Sequence, residues 1–200
     1  MNEPAKQKDP KRVAAGRKSK NKGNTFQREV AKSLSKWSGA TFKATPRSGG
    51  LRWGGAFWTY GDLTPPEDFF AVFECKHYHE IEFLDVLGTT RSPQGAGLVH
   101  EWWNKEARVD AARAARELGR PFAAFLVWKA DHARHRISML LDHYNRIPQR
   151  LPLATLATGC PGFDPYVTAD FESFLGSVDF VVLRELLRQG MGEPVPPVNS

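Results

Sequence analysis

The chain has 200 residues, a formal net charge of +6 and two cysteines, Cys75 and Cys160. That length suits one domain with appendages and a sizeable core. No apolar run reaches the roughly 18 residues of a membrane span, no apolar stretch follows the basic start as in a secretory signal, and two cysteines are too few for a disulfide framework, so a cytoplasmic, intracellular protein is expected.

The charge is unevenly placed. Residues 1–24 hold eight lysines and arginines against Glu3 and Asp9, while the rest of the chain is balanced. A basic arm on a neutral body is a common footprint of nucleic-acid binding, although a solubilising tail has the same composition. Residues 1–23 lack apolar periodicity and are expected to be disordered, with Lys18, Lys20 and Lys22 as candidate DNA contacts. Asn24 reads as a helix N-cap with Gln27 at the reciprocal position. Phe26, Val30, Leu34 and Trp37 then form one apolar stripe, and Gly39 ends the helix. Glu29 lies at the edge of that stripe, either as a solvated flank or as an inward acid.

Thr41 to Thr45 reads as a short strand, and Pro46 to Gly50 as a loop. Its Arg47 and glycines would let a guanidinium and backbone N–H groups approach a phosphate. Trp53, Phe57, Trp58 and Tyr60 follow among glycines. They suit stacking on unpaired bases, a second strand's core or a dimer contact.

Phe69 to Phe73 is apolar, aromatic and β-branched, and reads as a buried strand. Alternation puts Phe70, Val72, Glu74 and Lys76 on one face, and Phe69, Ala71, Phe73 and Cys75 on the other. The first face turns from apolar to charged at the strand's end. Asp62 lies twelve residues before Glu74. Pro65 to Asp68 is a turn signal between them, which would fold Asp62 back beside Glu74. Buried charges are costly unless paired or bound to an ion. Two carboxylates, the Cys75 main-chain carbonyl and waters suit a hard cation such as Mg²⁺, which activates water and offsets charge on a phosphodiester. A lysine beside them can orient the water. A hairpin ending in a Glu–Lys salt bridge would use the same residues.

His77 and His79 with one cysteine make a poor zinc site and read as phosphate-facing or solvated. Ile81 to Leu87 is expected as a short helix, Gly88 to Gly97 as a mobile loop, and Leu98 to Leu118 as the longest helix. Trp103, Ala107, Ala111, Ala114 and Leu118 mark its packed face. Pro121 to Trp128 and Ile137 to Leu141 are expected strands, joined by a histidine-bearing basic turn. Residues 146–190 read as a helical extension with short helices at Asp170 to Leu175 and Val178 to Leu187. Residues 191–200 read as a proline-rich tail. There is no internal repeat and no Gly-Lys-Ser/Thr nucleotide loop, so no nucleotide cofactor is expected.

Gly61-Asp62, a loop, and an apolar strand ending Glu74-Cys75-Lys76 resemble the PD-(D/E)xK nuclease superfamily, with Gly61 where a proline is usual. Within it, residues 24–142 look most like archaeal-type Holliday junction resolvases and their phage-encoded relatives. The resemblance implies an α/β, restriction-endonuclease-like core over 24–145 with a mixed central β-sheet flanked by helices. The first three strands would form an antiparallel meander, and the long helix would deliver the next strand parallel to a neighbour. The resemblance implies Asp62, Glu74 and the Cys75 carbonyl as metal ligands, completed by Glu29, with Lys76 orienting the water. It places Arg47 and Ser48 near the scissile phosphate. It also puts a polar residue near the start of the long helix, for which Asn104 or Lys105 stands in; His77 and Lys105 are further candidate DNA contacts. The expected function is a Mg²⁺-dependent endonuclease, with Mn²⁺ substituting, that resolves four-way junctions as a homodimer. A restriction- or repair-type nuclease on linear or other branched DNA is the alternative, and a non-catalytic DNA-binding protein a further one.

Overall fold

A computed structural model of the chain describes residues 10–45, 60–86, 97–160 and 163–193, with side chains from residue 21 onward apart from Cys160 and Phe163. The expectations placed on Arg47, Ser48, Trp53, Phe57 and Trp58 lie outside the described residues.

Helix α1 runs Pro10–Ser38. Its apolar stripe is as the periodicity predicts: Phe26, Val30 and Leu34 are almost fully buried. Gly39, at φ 68°, ends it. The start is a correction. The helix begins fourteen residues before Asn24, which lies in its interior, so residues 10–23 are not a disordered arm. Alanine, lysine and arginine are good helix formers even where no apolar face guides them.

Short strands β1 (Lys43–Ala44) and β2 (Leu63–Thr64) pair antiparallel as a separate two-stranded sheet. The main sheet has five strands in the order β3-β4-β5-β7-β6. These are β3 (Ala71–His77), β4 (Ala123–Lys129), β5 (Arg136–Leu140), β7 (Phe163–Asp170) and β6 (Thr155–Cys160). β3 and β4 are parallel, with Glu74 opposite Leu126 and Lys76 opposite Trp128; all other pairs are antiparallel. The expected three-strand meander is thus corrected to a β1-β2 ribbon lying beside the edge strand β3. A hydrogen bond from the Asp62 N–H to the Phe73 carbonyl, 2.7 Å, ties the ribbon to that edge.

The crossover from β3 to β4 carries α2 (Phe83–Val86), α3 (Leu98–Trp102), a π-helical turn (Trp103–Ala107) and α4 (Arg108–Leu118). The expected single helix over 98–118 is therefore interrupted by a wider turn. Beyond β5 come α5 (Leu141–Arg146) and, after the β6-β7 hairpin, α6 (Phe171–Ser177) and α7 (Phe180–Arg188). The helical reading of residues 146–190 holds for its two helices. It is corrected for the hairpin, which completes the main sheet.

Aromatic rings fill the space between the sheet and α1, α6 and α7. Phe69 stacks on Phe180 at 5.3 Å and Phe73 on Phe125 at 5.2 Å, and Phe174 reaches Phe125. Burying each such ring stabilises the fold by about 2–3 kcal/mol. The other face of β3 looks toward the π turn and α4. The result is an α/β sandwich with a mixed sheet, consistent with a restriction-endonuclease-like fold. Among the described residues, no helix is long and apolar enough to cross a membrane.

Candidate active site

The site lies where the charged end of β3 meets the β1-β2 ribbon on one side and the π turn on the other. Strand alternation delivers Glu74 and Lys76 to one face, as the sequence predicts. Glu74 is buried, and its Oε1 lies 2.7 Å from the Lys76 Nζ.

Asp62 reaches the same place from the ribbon and is also buried. Its backbone is fixed twice: the N–H donates to the Phe73 carbonyl, and the carbonyl accepts from the Thr45 N–H at 2.9 Å. Its Oδ2 accepts from the Cys75 N–H at 2.9 Å. In a strand the N–H and C=O of one residue point to the same side. The Cys75 carbonyl therefore faces the open edge on which Asp62 sits.

Gly61 makes this approach possible. Its φ is +75°, and a Cβ there would lie 2.6 Å from the Phe73 carbonyl oxygen and 2.7 Å from Val72 Cγ1. A proline, with φ fixed near about −65°, does not fit this turn. Glycine thus replaces the superfamily's usual proline for a geometric reason.

The π turn supplies a residue that the sequence reading missed. Glu106 Oε2 accepts from Lys76 Nζ at 2.5 Å, so the ammonium is gripped between two carboxylates. The stand-ins expected near this helix start point elsewhere: Asn104 donates to the His100 carbonyl, and Lys105 pairs with Glu101 on the exposed face. One turn along, Asp110 accepts a hydrogen bond from the Gly61 backbone and feels the charges of Asp62 and Glu106. Burial raises its carboxyl above the ordinary value.

Electrostatics follow from burial and crowding. Burial first, and the neighbouring Asp62 second, push the Glu74 carboxyl up to about 8. Burial alone would lower Lys76, but Glu74 and Glu106 outweigh it and hold the ammonium well above lysine's ordinary range. Lys76 is therefore a fixed cation and hydrogen-bond donor.

Glu29 does not join this group. Its Oε2 pairs at 3.1 Å with Lys129, the residue opposite His77 in the sheet. Its place in the metal set is thus corrected: it lies on the face of α1 that meets the tail of β4. Among the described residues, no three His, Cys, Asp or Glu side chains gather as a metal cluster. The oxygen atoms that the strand end and the ribbon bring nearest one another are those of Asp62, Glu74 and the Cys75 carbonyl. Oxygen-only donors with one or two carboxylates fit Mg²⁺, which keeps much of its hydration. A divalent cation would also favour the ionised form of Glu74, which burial first and Asp62 second disfavour.

The remaining candidates form a second cluster just beyond the site. Asp131 accepts from His77 Nε2 at 2.9 Å and from His79 Nδ1 at 3.0 Å, and pairs with Lys22 at 2.5 Å. Lys22 holds the Asp131 carboxyl far below its ordinary value, with the two histidines adding to it. Burial, Lys22 and Lys129 lower His77. Lys18 and Lys20 lie on α1, in the stretch whose side chains are not described.

Comparison with known proteins agrees with this geometry. The model of a family described as phage putative PDDEXK endonucleases matches residues 18–180. No curated protein and no solved structure matches the chain. The match spans the ribbon, the whole sheet and the π turn, and the chain belongs to this PDDEXK endonuclease family.

Proposed function

We propose that the protein is a Mg²⁺-dependent DNA endonuclease that cuts branched DNA, with the four-way junction as its substrate and a homodimer as its working form. The observation that carries the nuclease reading is the convergence of Asp62, Glu74 and Lys76 at one strand end, with Glu106 on the far side of the lysine. A pure DNA-binding protein has no use for two buried carboxylates at the place where a phosphate would lie.

Asp62, Glu74 and the Cys75 carbonyl would hold the cation. When bound, it lowers the pKa of a coordinated water and offsets charge on the phosphodiester. Lys76, held protonated, orients the attacking water or a phosphate oxygen by donating hydrogen bonds. Glu106 fixes the lysine's direction. Lys22 and His77, at the end of β3, take neighbouring phosphates. Arg47 and Ser48, which follow β1 in the sequence and lie outside the described residues, are the expected contacts to the scissile phosphate.

The junction and dimer readings rest on symmetry and on the resemblance to junction resolvases. One site makes one nick, whereas resolving a four-way junction takes two. A two-fold dimer supplies both, and such dimers are the commonest oligomers. The test is cleavage of an end-labelled four-way junction beside a duplex of the same sequence, with Mg²⁺, Mn²⁺ or chelator, alongside light scattering. Symmetric Mg²⁺-dependent nicks by a dimer are expected. Equal cleavage of plain duplex would assign the protein to linear DNA, and cleavage in chelator would remove the metal.

A further inference from the structure

We propose that Asp110 is a positioning residue for the cation site: by accepting the Gly61 N–H it holds the Asp62 carboxylate where, with Glu74, it would take a divalent cation. The inference rests on the nuclease reading and deepens it, because Asp110 acts on the cation only through the turn that carries Asp62.

Two neighbouring peptide N–H groups fix that turn. The Asp62 N–H donates to the Phe73 carbonyl of β3 at 2.7 Å, and the Gly61 N–H donates to the Asp110 carboxylate of α4. Gly61 has to be glycine, since its φ is +75° and a Cβ there would collide with Phe73 and Val72. Glycine is also the softest hinge that a chain can place before a ligand. The hydrogen bond to Asp110 removes that freedom. Residue 60 is fastened to the same helix. The Tyr60 hydroxyl donates to Glu117 Oε2 at 2.5 Å, and the Arg113 guanidinium lies 5.3 Å from the centre of the Tyr60 ring. Asp110, Arg113 and Glu117 recur at intervals of three and four residues, so they share one face of α4.

One helical unit thus reaches both arms of the site. Glu106, in the π turn, accepts from Lys76 at 2.5 Å, and Asp110, one turn later, holds the residue before Asp62. The lysine and the aspartate are both referred to the same rigid element, although they come from β3 and from the ribbon. Asp110 is engaged as an acceptor and not as a further ligand. Its Oδ1 lies 3.0 Å from the Arg113 guanidinium, and the carboxylate also receives the Gly61 N–H. An acid that served only Arg113 would gain nothing from lying within range of Asp62 and Glu106, whose charges disfavour a third carboxylate. Its hold on Gly61 gives that placement a use. Groups that orient a metal ligand without touching the metal characteristically govern its affinity.

The test reads Mg²⁺ binding without turnover. Thermal melts of the full-length protein, begun in chelator and repeated at rising free Mg²⁺, give the concentration at which half of the melting-temperature rise is reached. Asp110→Ala should need about ten-fold more Mg²⁺ than wild type, whereas Asp110→Asn, which keeps an acceptor oxygen for the Gly61 N–H, should stay within about two-fold. Alanine suits a helix interior, and the melts in chelator show that both variants fold. Junction cleavage by Asp110→Ala should fall at low Mg²⁺ and recover as Mg²⁺ is raised, because a bound cation draws Asp62 back into place. A half-rise concentration that does not move in Asp110→Ala, even with a lower melt in chelator, would overturn the positioning role and leave a structural one. An asparagine variant as weak as the alanine variant would overturn it too, since the charge and not the acceptor would then matter. No Mg²⁺-dependent rise in wild-type protein would do the same. Half-rise concentrations that move as expected, in a protein that cuts no DNA, would overturn the nuclease reading and leave the positioning role standing.

Discussion

Replacing Glu74 by glutamine is expected to stabilise the metal-free protein and abolish its cleavage. The carboxyl titrates at about 8 in the fold against its ordinary 4.5. Below pH 4.5 both folded and unfolded chains hold the proton, and the residue contributes nothing to pH dependence. Between 4.5 and 8 the unfolded chain loses the proton and the folded chain keeps it, so wild-type stability falls as pH rises. At 1.36 kcal/mol per unit, the penalty is on the order of 3 kcal/mol at pH 7 and 4 kcal/mol at pH 8. Glutamine mimics the protonated acid, can still accept from Lys76, and carries no such penalty. For a chain of this size, 3 kcal/mol corresponds to a melting temperature about 10 °C higher at pH 7. Thermal melts of both proteins in chelator at pH 5, 7 and 8 measure it. The gap should widen with pH, and added Mg²⁺ should raise only the wild-type curve. A gap that stays constant with pH, or a glutamine variant that still cleaves, would refute the reasoning.

Two further substitutions test the parts around that carboxylate. Glu106→Gln removes one of the two charges gripping Lys76, so the alkaline limb of the pH–rate profile should move to lower pH and cleavage should fall about 100-fold through misplacement of the ammonium; the Glu106 side chain is 43% exposed, so the melting temperature should hold, and an unmoved profile would show that Lys76 does not depend on it. Gly61→Ala puts a Cβ 2.6 Å from the Phe73 carbonyl oxygen at a positive φ, so stability should drop by about 2–4 kcal/mol, with cleavage lost well below the new melting temperature because Asp62 is displaced; a near-normal melt would refute the role of that turn.

The Asp62, Glu74 and Lys76 cluster was legible because it depends on short-range rules. A seven-residue strand fixes which side chains share a face, and a turn signal fixes where the preceding acid returns. Glu106 was not legible, because it depends on a local change of helical period. A uniform 3.6-residue repeat through Trp103, Ala107 and Ala111 gives no sign that the turn at 103–107 is wider. A usable signal was present: Glu106 and Asp110 are carboxylates four apart on a helix whose other face is alanine-rich. The hairpin at 155–170 was obscured by Gly159 and Pro165. Pro165 precedes the stretch of β7 that pairs with β5, which starts at Tyr166, and it lies where the β6-β7 register shifts. A missing N–H costs little there, so the proline does not break the strand. Glu29 was misplaced because helical spacing fixes a residue's angle around α1 and not the strand position that it meets.

The order in which the ribosome releases the chain gives the closing hairpin a further meaning. Every residue of the carboxylate and lysine cluster is made before residue 111, yet β5 finds its second neighbour only when β7 has emerged. Glu193 then pairs with Phe122 at the start of β4, and its carboxylate receives Arg108, two residues past Glu106. A nascent or truncated chain ending at 145 carries the complete set of reactive side chains without the last clamp on the turn that aims them. Cleavage is thus expected to need the residues after 145, and the segment that bears the motif is not expected to act as a portable module.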